Sequence, residues 1–164
     1  MTQIRAVIIT ASDACAAGER EDKSGQLLAE LLTGLDAEIV AQEIVSDDLD
    51  PLARKLRAYA DLKHVNLIIT TGGTGFGPRD NTPEATLQVI DREAAGLAEA
   101  MRIETLKNTR MAMISRGVCG IRSSTLIINL PGSPKAVRES FAVIEPVLGH
   151  VVALLSGDTG HTTD

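Results

Sequence analysis

The stretch Thr70–Thr86, TTGGTGFGPRDNTPEAT, places a glycine-rich turn between an apolar run and the start of a helix. The run that leads into it, Val65–Thr70, has the length and composition of a buried strand. Thr82 is predicted to cap the helix, with Pro83 at the first helical position. A strand, a polar turn and a helix in this order are typical of an α/β fold.

The chain before this stretch shows the same alternation of strand and helix. Ile4–Thr10 and Ala37–Val45 are predicted strands, each followed by an amphipathic helical pattern. The first pattern covers 24–35 with Gly34 as its stop, and the second covers 50–62. This order predicts right-handed crossovers and a mostly parallel sheet with helices on both faces.

The chain after the stretch is predicted to add three helices and a hairpin. The helices cover 84–94 and 96–108, and the last begins with Ser133 as cap and bends at Pro146. The hairpin turns near Arg122 and Ser123. No internal repeat or linker divides the chain, so 1–155 is predicted to be a single domain and 156–164 a disordered tail.

Composition excludes several classes of protein. The chain has 164 residues, enough for one core, with 44% hydrophobic and 23% charged residues. A net charge of -6 and only 2% aromatic residues argue against nucleic-acid partners and acidic membrane surfaces. Cys15 and Cys119 lie far apart without metal-ligand spacing, and the first apolar run is too short for a signal or a span. The predicted compartment is the cytoplasm.

Four polar stretches follow predicted strands: Ser12-Asp13, Ser46-Asp47-Asp48, the Gly72–Gly75 loop and the NLPGSPK stretch at 129–135. Ligands of open α/β sheets bind at these strand ends. In the loop, small residues let backbone N–H groups converge on an anion. The loop is no P-loop, and Pro78 excludes the dinucleotide fingerprint. A tight turn without a ligand is the alternative interpretation.

Two aspartates in these stretches have no evident capping function. Thr82 is predicted to cap the helix after Asp80, and Asp48 or Asp50 can cap the helix that follows Asp47. Two carboxylates at neighbouring strand ends predict a Mg²⁺ site, since magnesium takes one or two carboxylates and the rest from phosphates and water.

The helix start at Ser133 is a predicted anion site because free N–H groups point out of it. Lys135 and Arg138 lie in its first turns, where the helix dipole disfavours cations. These side chains either reach water or meet an anionic ligand. The histidines, at 64, 150 and 161, lack ligand spacing and are predicted to be surface residues, and no nucleophile elbow is present. The residues alone therefore indicate an α/β enzyme that handles a phosphorylated ligand with magnesium.

The motifs TTGGTGFGPRDNTPEAT and INLPGSPKAV, with TASD and EDKSG upstream, resemble the molybdopterin adenylyltransferases. That family includes the bacterial MogA/MoaB type and the plant and gephyrin G domains. The resemblance covers about 4–155. It implies a three-layer α/β/α fold, a homotrimer, and transfer of AMP from ATP to molybdopterin with release of pyrophosphate. A metal-insertion protein of the same pathway is the implied partner.

The resemblance also implies roles for particular residues. The essential carboxylates, which would be catalytic and bind Mg²⁺, fall on Asp47 and Asp80. The implied nucleotide-binding residues are Gly72, Gly73, Thr74, Gly75, Pro131, Gly132, Ser133 and Pro134. The implied substrate-binding residues are Ser12, Asp13, Ser115, Arg116 and Lys135. Ser46 departs from the proline common before the first acid, and Asp48 replaces a frequent glutamate. Neither change removes a carboxylate.

Two other functions stay open from the sequence. A pyrophosphatase-type domain of the competence-damage family shares the fold. A non-catalytic carrier or scaffold would hold molybdopterin without consuming ATP. Retention of both acids favours the adenylyltransferase.

Overall fold

A computed structural model describes residues 2–158 of the chain. Its centre is a six-stranded sheet in the order β2-β1-β3-β6-β5-β4. The first four strands in this order are parallel, and β5 and β4 continue the sheet antiparallel. The strands are β1 Arg5–Ala11, β2 Glu38–Val45, β3 Leu67–Thr71, β4 Arg92–Glu93, β5 Cys119–Arg122 and β6 Thr125–Leu130.

Helices cover both faces of the sheet. They are α1 Asp13–Ala16, α2 Lys23–Thr33, α3 Leu49–Ala60, α4 Thr82–Leu87, α5 Ala95–Leu106 and α6 Pro134–Leu155, with a 3₁₀ helix at Arg110–Ile114. Side chains alternate along β1, so that Ile8 packs with α2, α5 and α6, whereas Ile9 packs with α3 and α4. Strands β3 and β6 are buried on both faces, which explains their nearly continuous apolar sequences. The predicted three-layer α/β/α fold is confirmed.

Several predicted boundaries are confirmed. The Ser133 hydroxyl caps α6 by accepting a hydrogen bond from the backbone N–H of Ala136 at 3.2 Å. Gly34 ends α2. The hairpin joins β5 to β6, and Ser123 in its turn has a φ of 51°.

The prediction for 82–94 was wrong in two respects. Asn81 occupies the cap position, and Thr82 is the first helical residue. The helix ends at Leu87, and Arg92–Glu93 form an edge strand. Backbone pairing with β5 outcompetes the helical pattern there: the N–H of Asp91 donates to the carbonyl of Ile121 at 2.8 Å.

Three other features differ from or extend the predictions. The short helix α1 was not predicted, and α3 begins at Leu49 with Asp48 in the cap position but without a side-chain capping bond. Pro146 lies inside a continuous α6, so a bend there stays a prediction. Helix α6 ends at Leu155, the predicted end of the domain, and the Ser156 N–H donates to the carbonyl of Val152 as its cap, so the disordered tail stays a prediction. The rest of the predicted tail, 159–164, lies outside the described residues.

Histidines 64 and 150 are exposed, as predicted, whereas His161 lies outside the described residues. Cys15 and Cys119 are free thiols and both are buried. Within residues 2–158, none of the helices combines the length and apolar character that a membrane crossing requires.

Candidate active site

The turn after β3 depends on two glycines with left-handed backbones, Gly72 at a φ of 91° and Gly73 at 66°. A Cβ on Gly72 would overlap the carbonyl oxygen of Ala11, at the end of β1. A Cβ on Gly73 would overlap the hydroxyl of Thr82, which donates to the Gly72 carbonyl at 2.9 Å. The glycines therefore allow the loop to lie directly against the end of β1 and the start of α4.

Asp80 closes the second half of this loop. Its Oδ2 accepts a hydrogen bond from the N–H of Gly77 at 2.8 Å. A Cβ on Gly75 or on Gly77 would lie 2.9 Å from the same oxygen. Asp80 does not cap α4, but its carboxylate has a local partner in the Gly77 N–H and orders the loop as well as lining the site.

Asp47 is tied to the end of β1. Its Oδ2 accepts a hydrogen bond from the N–H of Asp13 at 2.9 Å, and its own N–H donates to Asp13 Oδ1 at 3.0 Å. Asp47 thereby pairs the N–H of the first residue of α1, whose cap is Ser12, a role that local sequence did not reveal. Burial raises the pKa of Asp47, and the negative charges of Asp13 and Asp80 raise it further.

Arg79 is the counter-ion of this acidic group. Its Nε and Nη2 donate to the two carboxylate oxygens of Asp13 at 3.0 and 2.8 Å, and its Nη1 donates to Asp48 Oδ1 at 2.8 Å. These bonds hold the pKa of Asp13 and of Asp48 below the usual range. Sequence analysis missed Arg79, although a cation directly before Asp80 in an acid-rich site was an available signal.

Arg116, 41 positions after Gly75 in the chain, supports the loop. Its guanidinium donates to the carbonyls of Gly75 and Asp80, each at 2.7 Å, and to the carboxylate of Glu84. Its N–H also donates to the carbonyl of Thr74 at 2.8 Å. The hydrogen bond from Arg116 lowers the pKa of Glu84. Arg116 therefore contacts the loop backbone, and it is not among the residues that line the neighbouring cavities.

Two cavities open at these strand ends. The larger, of about 800 Å³, is lined by several polar and charged side chains, including Ser12, Arg20, Lys23, Ser24 and Asp47. The smaller, of about 370 Å³, is mainly apolar and includes Met101, Met111, Ile114, Ser115 and Asn129. Gly73, Asp80, Gly132 and Ser133 line both. The two cavities therefore meet beside the Asp80 carboxylate and the start of α6.

The structure brings most of the predicted site residues to these cavities. Besides the four shared residues, the larger is lined by Ser12, Asp47, Gly72 and Pro134, and the smaller by Thr74, Gly75, Ser115 and Pro131. Asp13 and Arg116 instead hold other site residues, as described above. Lys135 lines neither cavity: its ammonium is exposed and lies 3.8 Å from the Glu139 carboxylate.

Asn129 is a site residue that sequence analysis passed over. Its side-chain amide donates to the hydroxyls of Thr70 and Thr86 at 3.0 and 2.9 Å, and its Oδ1 accepts from the Val118 N–H at 3.0 Å. Asn129, which lines the smaller cavity, thus connects β3, α4 and the residue that precedes β5. The available signal was its position at the head of the NLPGSPK stretch.

Asp47 and Asp80 suit a magnesium ion. Both are hard oxygen donors that line the larger cavity, and their charges interact. Among the described residues no group of three or more acids, histidines and cysteines could hold a metal. Magnesium needs only one or two carboxylates when phosphates and water complete its shell, so the pair fits.

The sequence pattern described as "Probable molybdopterin binding domain" matches residues 7–150. The chain belongs to this family. The matched range contains every side chain of the site described above.

Named relatives of this chain include enzymes and a larger protein. It is 39% identical over 160 residues to a protein named molybdopterin adenylyltransferase from Helicobacter pylori strain J99, covering 96% of this chain and 91% of that one. It is 42% identical to the molybdenum cofactor synthesis protein cinnamon of Drosophila melanogaster. The chain spans 26% of cinnamon's length.

Solved structures of the family superpose closely. The molybdopterin biosynthesis enzyme MoaB of Thermus thermophilus has a TM-score of 0.89 at 48% identity, covering 94% of this chain and 98% of its own. A MogA structure has a TM-score of 0.88 at 39% identity, covering 92% and 99%. The CinA protein of Thermoplasma acidophilum, at 18% identity and a TM-score of 0.65, shares the fold alone.

Proposed function

We propose that this protein is a molybdopterin adenylyltransferase of molybdenum cofactor biosynthesis, which transfers AMP from ATP to the terminal phosphate of molybdopterin. The observation that carries the proposal is the junction of two cavities at Asp80 and Ser133. A reaction that joins two substrates needs both to reach one point. The 39% identity to an enzyme of that name over nearly all of both chains supports the same activity.

The linings suggest how the substrates divide the site. Met101, Met111 and Ile114 give the smaller cavity apolar walls that suit a flat heterocycle. Arg20 and Lys23 give the larger one positive charge that suits phosphates. The α-phosphate of ATP would lie at the junction, against Gly73 and the start of the 22-residue helix α6, where backbone N–H groups favour an anion.

The reaction is an in-line displacement. A terminal phosphate oxygen of molybdopterin attacks the α-phosphorus, and a new P–O bond forms. The bond between the α-phosphorus and the bridging oxygen breaks, and pyrophosphate leaves with that electron pair. No general base is needed because the attacking phosphate is already ionised at pH 7.

The residues of the chain supply positioning and electrostatic stabilisation. Asp47 and Asp80 would hold Mg²⁺, which neutralises charge on the phosphates when bound. Asp13 and Arg116 act through other groups, Asp13 by orienting Asp47 and Arg116 by fixing the Gly75–Asp80 backbone.

We also propose that the protein is a homotrimer. Large exposed apolar side chains cluster on α5 and on the 3₁₀ helix that packs against it, namely Ile103, Leu106, Met111, Met113 and Ile114. Such a patch on a small domain is typical of an interface between subunits. Light scattering after size-exclusion chromatography tests this proposal, and a monomer at micromolar concentration would contradict it.

The cytoplasm is the proposed compartment, and a metal-insertion protein of the same pathway is the proposed recipient of the product. The two buried free thiols are compatible with a reducing compartment.

The activity is tested by incubating the purified protein with ATP, MgCl₂ and molybdopterin and measuring adenylyl-molybdopterin and pyrophosphate together. Asp80→Asn should abolish turnover, because it removes a charge at the junction of the cavities while keeping the side chain's shape. Asp50→Asn is the matched control, since Asp50 is an exposed acid on α3 that lines neither cavity.

The outcomes separate the three candidate functions. Equal amounts of the two products from the wild type and from Asp50→Asn, but not from Asp80→Asn, would support the adenylyltransferase. Molybdopterin binding without ATP consumption would instead identify a carrier. Hydrolysis of a pyrophosphate-containing nucleotide without molybdopterin would point to the pyrophosphatase.

A further inference from the structure

We propose that Arg20 and Lys23 bind the pyrophosphate end of the nucleotide, the β- and γ-phosphates that leave in the reaction. This inference rests on the proposed function and adds the residues that recognise the leaving group. Both side chains lie on the segment between α1 and the first turn of α2. They are the basic residues among the described side chains that line the larger cavity.

Neither side chain forms an ion pair among the described residues. The Arg20 guanidinium donates to the hydroxyl of Ser12 at 2.9 Å, and this neutral oxygen is its hydrogen-bond partner. Within residues 2–158, the Lys23 ammonium has no hydrogen-bond partner, and no carboxylate lies within 4.0 Å of either cation. The bond to Ser12 directs the guanidinium along the cavity wall.

Two of the three neighbouring acids, Asp22 and Glu21, accept hydrogen bonds from other groups. Asp22 accepts hydrogen bonds from the Thr10 hydroxyl at 2.7 Å and from the Gly25 N–H at 2.9 Å, which caps α2. Glu21 accepts from the Gln26 amide at 3.3 Å. Glu19 also lines the cavity but forms no ion pair with either cation. An anion that enters the cavity therefore meets two cations that are free to bind it.

Arg79 and Arg116 differ from this pair, although they lie close to the same site. Arg79 is neutralised by Asp13 and Asp48, and Arg116 by Glu84. Binding an anion at either residue would cost an existing charged hydrogen bond. Arg20 and Lys23 can bind an anion without losing a charged hydrogen bond.

Five carboxylates also line the larger cavity. Glu19, Glu21 and Asp22 lie on the same segment as the two cations, whereas Asp47 and Asp80 follow β2 and β3 and repel phosphates unless a cation lies between. Its cations come from the segment after β1. When the bond at the α-phosphorus breaks, the electron pair adds negative charge to pyrophosphate, and a guanidinium and an ammonium stabilise that charge. AMP lacks both the β- and the γ-phosphate.

The test is calorimetry of inorganic pyrophosphate binding to the full chain with EDTA present, so that no divalent metal contributes. The double variant Arg20→Gln/Lys23→Gln should bind pyrophosphate about tenfold more weakly than the wild type, since two charge-assisted contacts are lost. Its affinity for AMP should be unchanged. The matched control is Arg54→Gln/Lys63→Gln, which changes net charge equally at two exposed cations on or after α3.

Three results would overturn the proposal. One is pyrophosphate affinity that is equal in the wild type and the double variant, or undetectable in both. Another is an equal loss in the control pair, which would indicate a general charge effect. The third is weaker binding of molybdopterin with unchanged pyrophosphate binding, which would assign the cations to the phosphate monoester of the other substrate.

Calorimetry also separates this proposal from the adenylyltransferase assignment. If the wild type binds pyrophosphate through these residues but forms no adenylyl-molybdopterin, the pyrophosphate site is supported and the adenylyltransferase activity is refuted. If the double variant turns over with an unchanged KM for ATP, the pyrophosphate site is refuted and the adenylyltransferase activity is supported.

Discussion

Asp13 and Asp47 each donate their backbone N–H to the other's carboxylate, at 2.9 and 3.0 Å, and so tie the ends of two parallel strands together. The guanidinium of Arg79, in the loop after β3, donates a hydrogen bond to each carboxylate oxygen of Asp13. One arginine therefore orients Asp47 without touching it. The arrangement makes Arg79 a positioning residue for a carboxylate at the proposed magnesium site.

Arg79→Gln is expected to lower kcat/KM about tenfold or more, because Asp47 loses the support of Asp13. The melting temperature should change little, since the ion pairs of Arg79 are solvent-exposed. Arg79→Lys should recover part of the activity, as it keeps the charge but not the fork. Steady-state kinetics in ATP and magnesium measure the effect.

The control for that variant is Arg122→Gln. Arg122 makes a similar fork on Asp61, the residue that follows α3, and it lines neither cavity. Arg122→Gln should lower the stability of the fold more than it lowers kcat. Equal kinetic losses in the two variants would show that Arg79 has only a structural role.

Gly73→Ala should destabilise the fold by about 1–3 kcal/mol, because the residue has a positive φ and its Cβ would overlap the Thr82 hydroxyl. Gly96→Ala should instead stabilise it by about 0.4–1 kcal/mol, since Gly96 lies in α5 with open space around it. Urea unfolding of both variants measures the two free energies. A stabilising Gly73→Ala would contradict the described loop.

Asn129→Leu should lower the free energy of unfolding by about 2–4 kcal/mol. It leaves the Val118 N–H and the Thr70 hydroxyl unpaired in a buried site, and the Thr86 hydroxyl keeps only its bond to the Thr82 carbonyl. Asn108→Leu is the exposed control and should change the free energy by no more than about 0.5 kcal/mol. Chemical denaturation of both proteins decides whether Asn129 holds β3, α4 and β5 together.

Burial raises the pKa of the Cys119 thiol to about 12, from its ordinary value of 9.0. The thiol should therefore stay protonated and unreactive toward iodoacetamide at pH 8.5, as peptide mapping by mass spectrometry would show. Above pH 9 the unfolded chain loses this proton while the folded chain keeps it. Stability should consequently fall as the pH rises from 9 toward 12, and Cys119→Ala should reduce that fall.

Elements with strong local signals were predictable from sequence. The apolar runs of β1, β2 and β3, the Gly34 stop and the Ser133-Pro134 helix start all agree with the structure. The 84–94 helix failed because its second half pairs with β5, a partner that is distant in sequence. The local hydrophobic pattern does not predict pairing with a strand that is distant in sequence.

The sequence by itself determined the order of strands and helices, the mostly parallel sheet, and the strand ends at which polar residues collect. It determined these because apolar periodicity and glycine, proline and capping residues act over a few positions. Only the tertiary structure decided what Asp47 and Asp80 bond to, that Arg79 balances the acids, and that Arg20 and Lys23 share a cavity with them. Those relationships join residues up to 66 positions apart, and side-chain bonds across such separations depend on how strands are ordered in the sheet.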